Sequence, residues 1–329
     1  MLPDLTDLLS TAQVVDLPMT VPFRGLTRRE TCLIEGPQGW TEFAPFVEYD
    51  DREASRWLNA AIEFGWQPAP ASRLSEIRVN ATVPAVAVDR VADILAAFPG
   101  SRTAKVKVAG PGTVLADDVA RVAEVRRILG PEGRIRVDAN GAWNLDEAEH
   151  AVHEFTRYDL EYIEQPCSGL DDLTELRRRI RYLGIGIAAD EGLRRADDID
   201  AVDLSEAADI VIVKAAPLGG IAAALAVVER IGLPAVVSSA LETSVGLSMG
   251  AHLAAALPSL EYDCGLGTGA LLAADVTDEP LRPAEGTIPV RRVQVSRDLA
   301  ARHAAAPDRL LWWQDRITRC HAVLEAARA

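Results

Sequence analysis

Lysine is almost absent from this 329-residue sequence, which contains only Lys105, Lys107 and Lys214 among its 34 basic residues. The 49 acidic residues outnumber the basic ones and give a net charge of −15. A negative surface is poorly suited to nucleic acid or to anionic membranes, so we expect neither as a partner. Arginine is a permanent charge, whereas lysine can lose its proton and act as a base. The three lysines, all in short β-like segments, are therefore candidate sites of proton transfer.

Cysteine, histidine and long apolar runs are also scarce. The four cysteines form no CxxC pair, and the five histidines form no HExxH motif, which excludes the common zinc motifs. The longest apolar stretch, 215–228, is interrupted by glycine and is too short to cross a bilayer. Residues 1–9 carry two aspartates and no basic cluster, unlike a secretory signal. We therefore expect a cytoplasmic protein with reduced thiols and no membrane insertion.

Short β-branched runs alternate with amphipathic helical patterns between residues 76 and 270. Eight strands joined by helices favour parallel pairing, and eight is the number that closes a (β/α)₈ barrel. The strands are predicted at 77–83, 103–108, 134–139, 160–164, 186–190, 209–214, 235–239 and 261–264. Helices are predicted between them, for example at 114–128, 145–155, 172–183 and 220–231.

The two ends of the chain do not follow the barrel pattern. Residues 20–23 and 31–35 with the turn 36–39 predict a hairpin or meander, and 51–64 predicts a helix. Beyond residue 285, a short strand at 288–290 and a helix at 309–326 follow. We therefore predict an α/β protein with a barrel at 76–285 and a small α+β capping domain. The cap would consist of residues 1–75 and the tail 286–329, which we expect to pack back on it.

Three acidic residues close successive predicted strands: Asp138, Glu164 and Asp190 lie 26 residues apart. In a barrel they would meet at the C-terminal mouth, where barrel active sites are built. Carboxylates placed together repel one another unless a cation lies between them, and oxygen ligands without His or Cys favour Mg²⁺, with Mn²⁺ as the alternative. A single such acid could equally cap the following helix. Three at this spacing favour a metal site.

The lysines flank these acids. Lys105 and Lys107 alternate with valine, so both face the same side of the second strand, while Lys214 ends the sixth strand on the opposite side of the mouth. A neighbouring ammonium and a divalent cation both favour a neutral amine at Lys107, which could take a proton from carbon beside a carboxylate. The metal would hold the resulting enediolate. Lys105 could instead be simply a salt-bridge partner of Glu164.

Five motifs together resemble the muconate-lactonizing subgroup of the enolase superfamily. They are Lys105-x-Lys107, Asp138-Ala139-Asn140, Glu164-Gln165-Pro166, Asp190-Glu191, and Lys214 followed by Gly219-Gly220. Within the subgroup, segments 238–244 and 265–269 are similar to the o-succinylbenzoate synthase family, particularly its actinobacterial members. The segment after Lys214 departs from the pattern, because many relatives place proline directly after the lysine. The DxD of dipeptide epimerases is absent at the eighth strand.

This resemblance implies a metal-dependent lyase of menaquinone biosynthesis. Its substrate would be 2-succinyl-6-hydroxy-2,4-cyclohexadiene-1-carboxylate, a small carboxylate that is dehydrated to o-succinylbenzoate. Lys107 would remove the α-proton and help expel the hydroxyl from the same face, and Lys214 would stay cationic on the other face. Mg²⁺ would be bound by Asp138, Glu164 and Asp190.

The resemblance also implies supporting roles for several other residues. Lys105 would tune Lys107, and Asn140 and Glu191 would support the site. The succinyl end would be held by Ser238, Ser239 and the loop 265–269 that begins at Gly265, although this loop could be a plain strand-to-helix turn. Arg24 and Phe46 of the cap are further candidates for lining the pocket.

Other functions remain open at this level. Lysines on both faces also suit an N-acylamino acid racemase or a cycloisomerase of the same superfamily. A Schiff-base aldolase would also need a buried lysine but no carboxylate series, and a non-catalytic barrel would not need these groups at all. We expect a monomer or a small homo-oligomer.

Overall fold

The computed structural model describes residues 2–194 and 202–328, except for the side chain of Arg194. The N-terminal unit is a three-stranded antiparallel sheet in the order β1-β2-β3, followed by a long helix, α2. Asp50 begins this helix by accepting the backbone N–H of Glu53 at 2.7 Å. The predicted meander and helix are confirmed. The elements are α1 Leu5–Thr11, β1 Gln13–Phe23, β2 Leu26–Gly36, β3 Gly39–Phe43 and α2 Asp51–Trp66.

A curved parallel sheet forms the larger unit, as predicted. Among the described residues it contains seven strands in the order β11-β10-β9-β8-β7-β6-β5. Valine, isoleucine and alanine fill most of these positions, which suits strands buried on both faces. The strands are β5 Ala81–Val83, β6 Thr103–Lys107, β7 Arg134–Asp138, β8 Leu160–Glu164, β9 Gly186–Ala189, β10 Ile210–Val213 and β11 Ala235–Val237.

The prediction of a regular eighth strand at 261–264 is wrong. Only Cys264 of this segment pairs, bridging Val79, and the next residue, Gly265, bridges Ser238 on the other side. These two bridges join the edges of the sheet and close it. Extended pairing stops there because the glycine-rich chain turns at once into a 3₁₀ helix, Gly267–Leu271.

The first predicted strand, 77–83, is divided in two. Its start forms β4, Glu76–Arg78, which pairs with the antiparallel strand β12, Thr287–Pro289, from the C-terminal tail. Its end forms β5 of the barrel. The partner changes at Val79. Before this residue the chain pairs with the C-terminal tail, and at Val79 it bridges Cys264 of the segment that closes the barrel.

Helices cover the outside of the sheet, close to the predicted positions. The helix predicted at 172–183 starts two residues earlier, at Leu170, and is continued by a 3₁₀ turn at Arg181–Leu183. The apolar face of this helix, with Leu173, Leu176 and Ile180, is buried. The helices are α3 Val91–Ala96, α4 Leu115–Leu129, α5 Leu145–Phe155, α6 Leu170–Ile180, α7 Glu191–Arg194, α8 Ala215–Leu218, α9 Ile221–Ile231 and α10 Ser244–Ala256.

The tail ends in two helices, α11 Arg297–Arg302 and α12 Pro307–Ala326. The last helix packs along the N-terminal unit: Trp313 meets Phe43 edge to face at 5.6 Å, and Arg309 pairs with Glu30 at 2.7 Å. The longest apolar stretch belongs to α8 and α9, and none of the helices in the described part of the chain is long and apolar enough to span a membrane.

A small apolar cluster fills the inside of the closed sheet. It contains Tyr162, Ala188, Ile210, Ile212 and Val236. Because side chains alternate along a strand, residues two positions further along point the same way. The inner face therefore continues towards the C-terminal ends of these strands, where the polar residues of the predicted site lie.

Candidate active site

A cavity of about 680 Å³ lies between the cap and the C-terminal end of the barrel. Both units line it, so the cap covers the mouth at which the lysines and acids were predicted to meet. Ten of the residues singled out from the sequence line this cavity. They are Arg24, Phe46, Lys105, Lys107, Asn140, Glu191, Lys214, Ser238, Ser239 and Gly265.

The three predicted metal ligands lie at the floor, beneath the lysines that line the cavity. Lys107, Asp138 and Glu164 are partners in the parallel register of β6, β7 and β8, so their side chains leave the sheet at one level. Asp190 follows the end of β9. All three carboxyl groups are at most 1% exposed, and buried charges of one sign need compensation.

Each carboxylate is engaged by a different lysine. The ammonium of Lys105 lies 3.0 Å from both oxygens of Glu164 and 3.4 Å from Asp138. Lys107 donates to Asp138 and, at 2.9 Å, to Asn140. Lys214 donates to Asp190. The contact between Lys105 and Glu164 is the salt bridge considered from the sequence.

The carboxylates differ in their electrostatics. Burial, assisted by repulsion from Asp138, raises the pKa of Glu164 to about 7 although Lys105 opposes this shift. Burial also disfavours the charged form of Asp138, but Lys107 and Lys105 outweigh it and hold the pKa of Asp138 below its usual range. Burial disfavours protonated Lys105 too, yet Glu164 and Asp138 raise its pKa above the ordinary value. The three carboxylates and the three lysines therefore balance in formal charge, and each acid lies next to an ammonium group.

These residues fit a divalent metal in donor chemistry. In the described part of the chain, no three His, Cys, Asp or Glu side chains already surround a common point. The oxygens of Asp138, Glu164 and Asp190 turn to the lysines instead. Three buried carboxylates on adjacent strands are nevertheless hard oxygen ligands. A cation at this floor would offset the burial and the repulsion from Asp138 that together raise the pKa of Glu164.

Two side chains hold the strand ends around the floor. Asn140, in a left-handed conformation with φ 49°, contacts Glu191 at 3.3 Å and Lys107 at 2.9 Å. The buried amide of Gln165 accepts the backbone N–H groups of Asp190 at 2.8 Å and Gly192 at 3.0 Å. These contacts fix the direction in which the acids leave their strands.

The cap contributes a cation and aromatic rings opposite the floor. The guanidinium of Arg24 lies 4.0 Å from the centre of the Phe46 ring and donates to the hydroxyl of Tyr49 at 3.0 Å. The face of an aromatic ring attracts a cation, so Phe46 helps to hold the guanidinium of Arg24 in place. Phe23 lines the same side, with its ring centre 5.7 Å from the ammonium of Lys107.

The loop after β11 and the glycine-rich segment form the remaining wall. The hydroxyls of Ser239 and Thr268 are 2.7 Å apart. The backbone N–H groups of Ser238, Ser239 and Gly265 donate to the carbonyl oxygens of neighbouring strand residues, namely Val213, Gly265 and Val237. Ser238 and Ser239 can therefore offer a ligand only their hydroxyls. Gly265 also needs to be glycine, because a Cβ would collide with the side chain of Ser238.

Several residues of the site escaped prediction from the sequence. Phe23 and Tyr49 belong to cap segments with no distinctive motif, so no pattern pointed to them. Gln165 lies inside a recognised motif, but its role in orienting Asp190 depends on a three-dimensional contact. The same is true of two buried charges at the cap–barrel junction, Arg29 and Glu42.

Comparison with known proteins agrees with this geometry. Residues 86–294 match the model of the enolase C-terminal domain-like family, and residues 14–65 match the enolase N-terminal domain-like family. An o-succinylbenzoate synthase of Mycobacterium leprae is 50% identical over 98% of this chain and 95% of its own. An o-succinylbenzoate synthase of Mycolicibacterium smegmatis is 49% identical over 98% of each chain.

Solved structures show the same fold at low identity. Muconate lactonizing enzyme from Pseudomonas fluorescens, complexed with muconolactone, has a TM-score of 0.77 and 19% identity, covering 90% of this chain and 98% of its own. N-succinyl Arg/Lys racemase from Bacillus cereus has a TM-score of 0.71 and 20% identity, with the same coverage. Enzymes of the enolase superfamily are generally Mg²⁺-dependent.

Proposed function

The chain belongs to the enolase superfamily, and from this premise we propose that it catalyses the Mg²⁺-dependent dehydration of 2-succinyl-6-hydroxy-2,4-cyclohexadiene-1-carboxylate to o-succinylbenzoate. The relatives at 49–50% identity over nearly the whole chain carry the name of this activity. The structural observation that carries the proposal is one shared cavity lined by lysines from opposite strands, Lys107 and Lys214, above three buried carboxylates.

We assign the metal to Asp138, Glu164 and Asp190. A bound Mg²⁺ would stabilise the negative charge that develops on the substrate carboxylate as the α-proton leaves. The three acids would have to exchange their lysine contacts for metal contacts. That exchange frees the ammonium groups of Lys107 and Lys214 to face the substrate. Lys105 also lines the cavity but is more deeply buried, at 6% exposure, and would act as a tuning charge.

Lys107 is the proposed base. Its side chain reaches the cavity wall and is partly exposed there. As a neutral amine it takes the α-proton, and the electron pair of the C–H bond forms the carbon–carbon double bond of an enediolate. The carboxylate then re-forms as the β-hydroxyl leaves. Lys107 returns its proton to that hydroxyl, so the products are water and the aromatic ring.

Lys214 is the proposed electrostatic partner on the opposite face. Three strands separate β10 from β6 in the sheet, so the two lysines approach a bound ring from different sides. Lys214 keeps its proton throughout and presents a compact positive charge to the developing enediolate. Asn140 and Glu191 support the Lys107 side through their mutual hydrogen bond.

The distal end of the substrate is assigned to the cap and the loop after β11. The succinyl carboxylate needs a cation or hydroxyl donors away from the metal. Arg24, held against Phe46, supplies the cation, and Ser238 and Ser239 with Gly265 supply a narrow wall with hydroxyls. Arg24→Met should therefore raise KM for the substrate about tenfold or more while changing kcat less, because the contact is remote from the reacting bonds.

The direct test is product formation by the purified protein. With Mg²⁺, the cyclohexadiene carboxylate should lose its diene absorbance and give o-succinylbenzoate, identified by mass and by NMR. Removal of metal with EDTA should stop the reaction, and Mg²⁺ or Mn²⁺ should restore it. Unchanged turnover in excess EDTA, or a substrate that remains intact with Mg²⁺, would reject the proposal.

We also propose the domain boundaries of the chain, its cellular location and its oligomeric state. The cap would consist of residues 1–75 and the tail 286–329, and the barrel of 76–285, which is supported by the two family matches. The four cysteines are unpaired and buried, which supports a cytoplasmic location. The protein would act on its carboxylate substrate as a monomer or a small homo-oligomer.

A further inference from the structure

The wall formed by the loop after β11 is held in place by buried charges of the cap. This loop lines the cavity with Ser238, Ser239, Ala240 and Leu241. Leu241 adopts φ +67°, a conformation that a branched side chain rarely takes. Such a turn persists only when its surroundings determine it. Two cap residues, Arg29 and Glu42, provide the determining contacts.

Arg29 connects the loop to Phe46 of the cap. It lies on β2 and is 2% exposed. Its Nε donates to the carbonyl oxygen of Leu241 at 3.1 Å, and its Nη2 donates to that of Ala44. The guanidinium also lies 4.5 Å from the centre of the Phe46 ring, the same ring that holds Arg24. One side chain therefore sets the spacing between two walls of the cavity.

Glu42 fixes the other end of the same loop. It lies on β3 and is 3% exposed. Its carboxylate accepts the backbone N–H of Thr243 at 3.1 Å, the hydroxyl of Thr243 at 2.5 Å and the N–H of Gly246 at 2.8 Å. Thr31 of the cap donates to it at 2.8 Å. A cap carboxylate thus satisfies the N–H of Gly246 in the first turn of α10 and that of Thr243 just before it, where negative charge is favoured.

The fit at this junction is close. A Cβ at position 246 would lie 2.9 Å from a carboxylate oxygen of Glu42 and 2.6 Å from the side chain of Glu242. Only glycine lets the carboxylate approach the helix this closely. The loop between β11 and α10 therefore cannot move against the cap without breaking several buried hydrogen bonds.

We propose that Arg29 and Glu42 are positioning residues that set the substrate-binding geometry of the 238–241 wall from the cap side. They do not touch the reacting atoms and act through Leu241, Thr243 and Phe46. The proposal rests on the proposed dehydration, because the wall is assigned to the distal end of that substrate. It assigns substrate specificity to contacts between cap and barrel as well as to the residues that line the cavity.

The test compares steady-state kinetics of Arg29→Lys and Glu42→Gln with wild type. Lysine keeps the charge but cannot reach both carbonyl oxygens as a fork, and glutamine places an N–H₂ where Glu42 must accept. Each variant should raise KM for the cyclohexadiene carboxylate about tenfold or more and lower kcat less than about threefold. Thr31→Val, a near-isosteric change that removes one donor from Glu42, should fold normally and raise KM about threefold.

Glu63→Gln is the matched control. Glu63 is also a cap carboxylate at a helix N-terminus, accepting the N–H groups of Ile221 at 2.7 Å and Ala222 at 3.1 Å, but it belongs to a different junction. It should leave KM within about twofold of wild type. An equal rise of KM in this control, or an unchanged KM in the Arg29, Glu42 and Thr31 variants, would overturn the positioning roles. Inactive wild type would instead reject the proposed function, and this proposal with it.

Discussion

The side-chain oxygen of Gln165 accepts the backbone N–H of Asp190 at 2.8 Å, which ties together the ends of two neighbouring strands that each carry a floor carboxylate. Gln165 is fully buried and itself adopts φ 40°. It also donates to the carbonyl oxygen of Cys167 at 2.8 Å. The direction of Asp190 is therefore set by a residue that carries no charge and does not line the cavity.

Gln165→Leu should weaken Mg²⁺ binding. The variant removes the acceptor for two backbone N–H groups and releases the Asp190 turn, and loss of such an outer contact costs about tenfold to hundredfold in metal affinity. Titration calorimetry on the folded protein measures it. Thr103→Val is the control, because it removes a buried hydrogen bond of 2.7 Å to Asp263 at the other end of β6. Equal Mg²⁺ affinity in Gln165→Leu and wild type would contradict this role.

Lys105→Met should destabilise the metal-free protein. Lys105 is the main counter-charge of Glu164, and its removal leaves a buried acid without its partner. Breaking a buried ion pair in this way costs on the order of 3 kcal/mol of the free energy of unfolding. Urea titration in EDTA measures it. Arg127→Met, which breaks an exposed pair with Glu124, should give no measurable change. A Lys105 variant as stable as wild type would show that the pair does not hold the fold.

Glu242→Gln should stabilise the protein at alkaline pH. Burial, with repulsion from Glu42, raises the pKa of Glu242 to about 7 against the favourable charge of Arg29. An acid whose pKa is higher in the folded state destabilises the fold when it is ionised. Its cost is absent below about pH 4.5, grows between there and pH 7, and is complete above.

The variant removes that cost and keeps an oxygen that can accept the N–H of Ala240. Its free energy of unfolding should exceed that of wild type by on the order of 3 kcal/mol at pH 8 and match it near pH 4.5. Urea titrations at the two pH values test this. Glu132→Gln, on the surface, should behave as wild type at both. A difference that does not depend on pH would refute the assignment.

Arginine substitutions should separate the roles of the two cavity lysines. Arginine keeps a positive charge but cannot lose its proton. Lys107→Arg should therefore abolish dehydration, whereas Lys214→Arg should retain at least about tenfold more activity than Lys107→Arg, because Lys214 needs only charge. Stopped-flow loss of diene absorbance measures both. Equal loss in the two variants would indicate that Lys214 also transfers a proton.

The same pair of lysines also permits the alternative activity, racemisation. Incubation with N-succinylamino acids in D₂O would then place deuterium at the α-carbon, with Lys214 donating or accepting on its face. A dehydratase that keeps Lys214 protonated should give no deuterated enantiomer of inverted configuration, because Lys107 alone can exchange the α-proton only with retention. Inversion of configuration in wild type that disappears in Lys214→Arg would establish the racemase activity beside dehydration.

The sequence predicted the fold and the floor of the site because these depend on local patterns. Parallel strands alternating with helices place successive strand ends side by side, so Asp138, Glu164 and Asp190 had to be neighbours once the barrel was inferred. The irregular eighth segment was not predictable, because only Cys264 and Gly265 pair and no period can be recognised in two residues. The cap contacts were equally hidden. Glu42 and Gly246 are 204 positions apart, and only the folded chain brings them together.

The central claim is that Lys107 is the base that removes the α-proton. Its most direct test is Mg²⁺-dependent conversion of 2-succinyl-6-hydroxy-2,4-cyclohexadiene-1-carboxylate to o-succinylbenzoate by wild type and by Lys107→Ala, with both proteins shown to be folded and to bind Mg²⁺. The account predicts rapid conversion by wild type and a loss of at least about a thousandfold in the variant. Conversion by Lys107→Ala at a rate near that of wild type would contradict it.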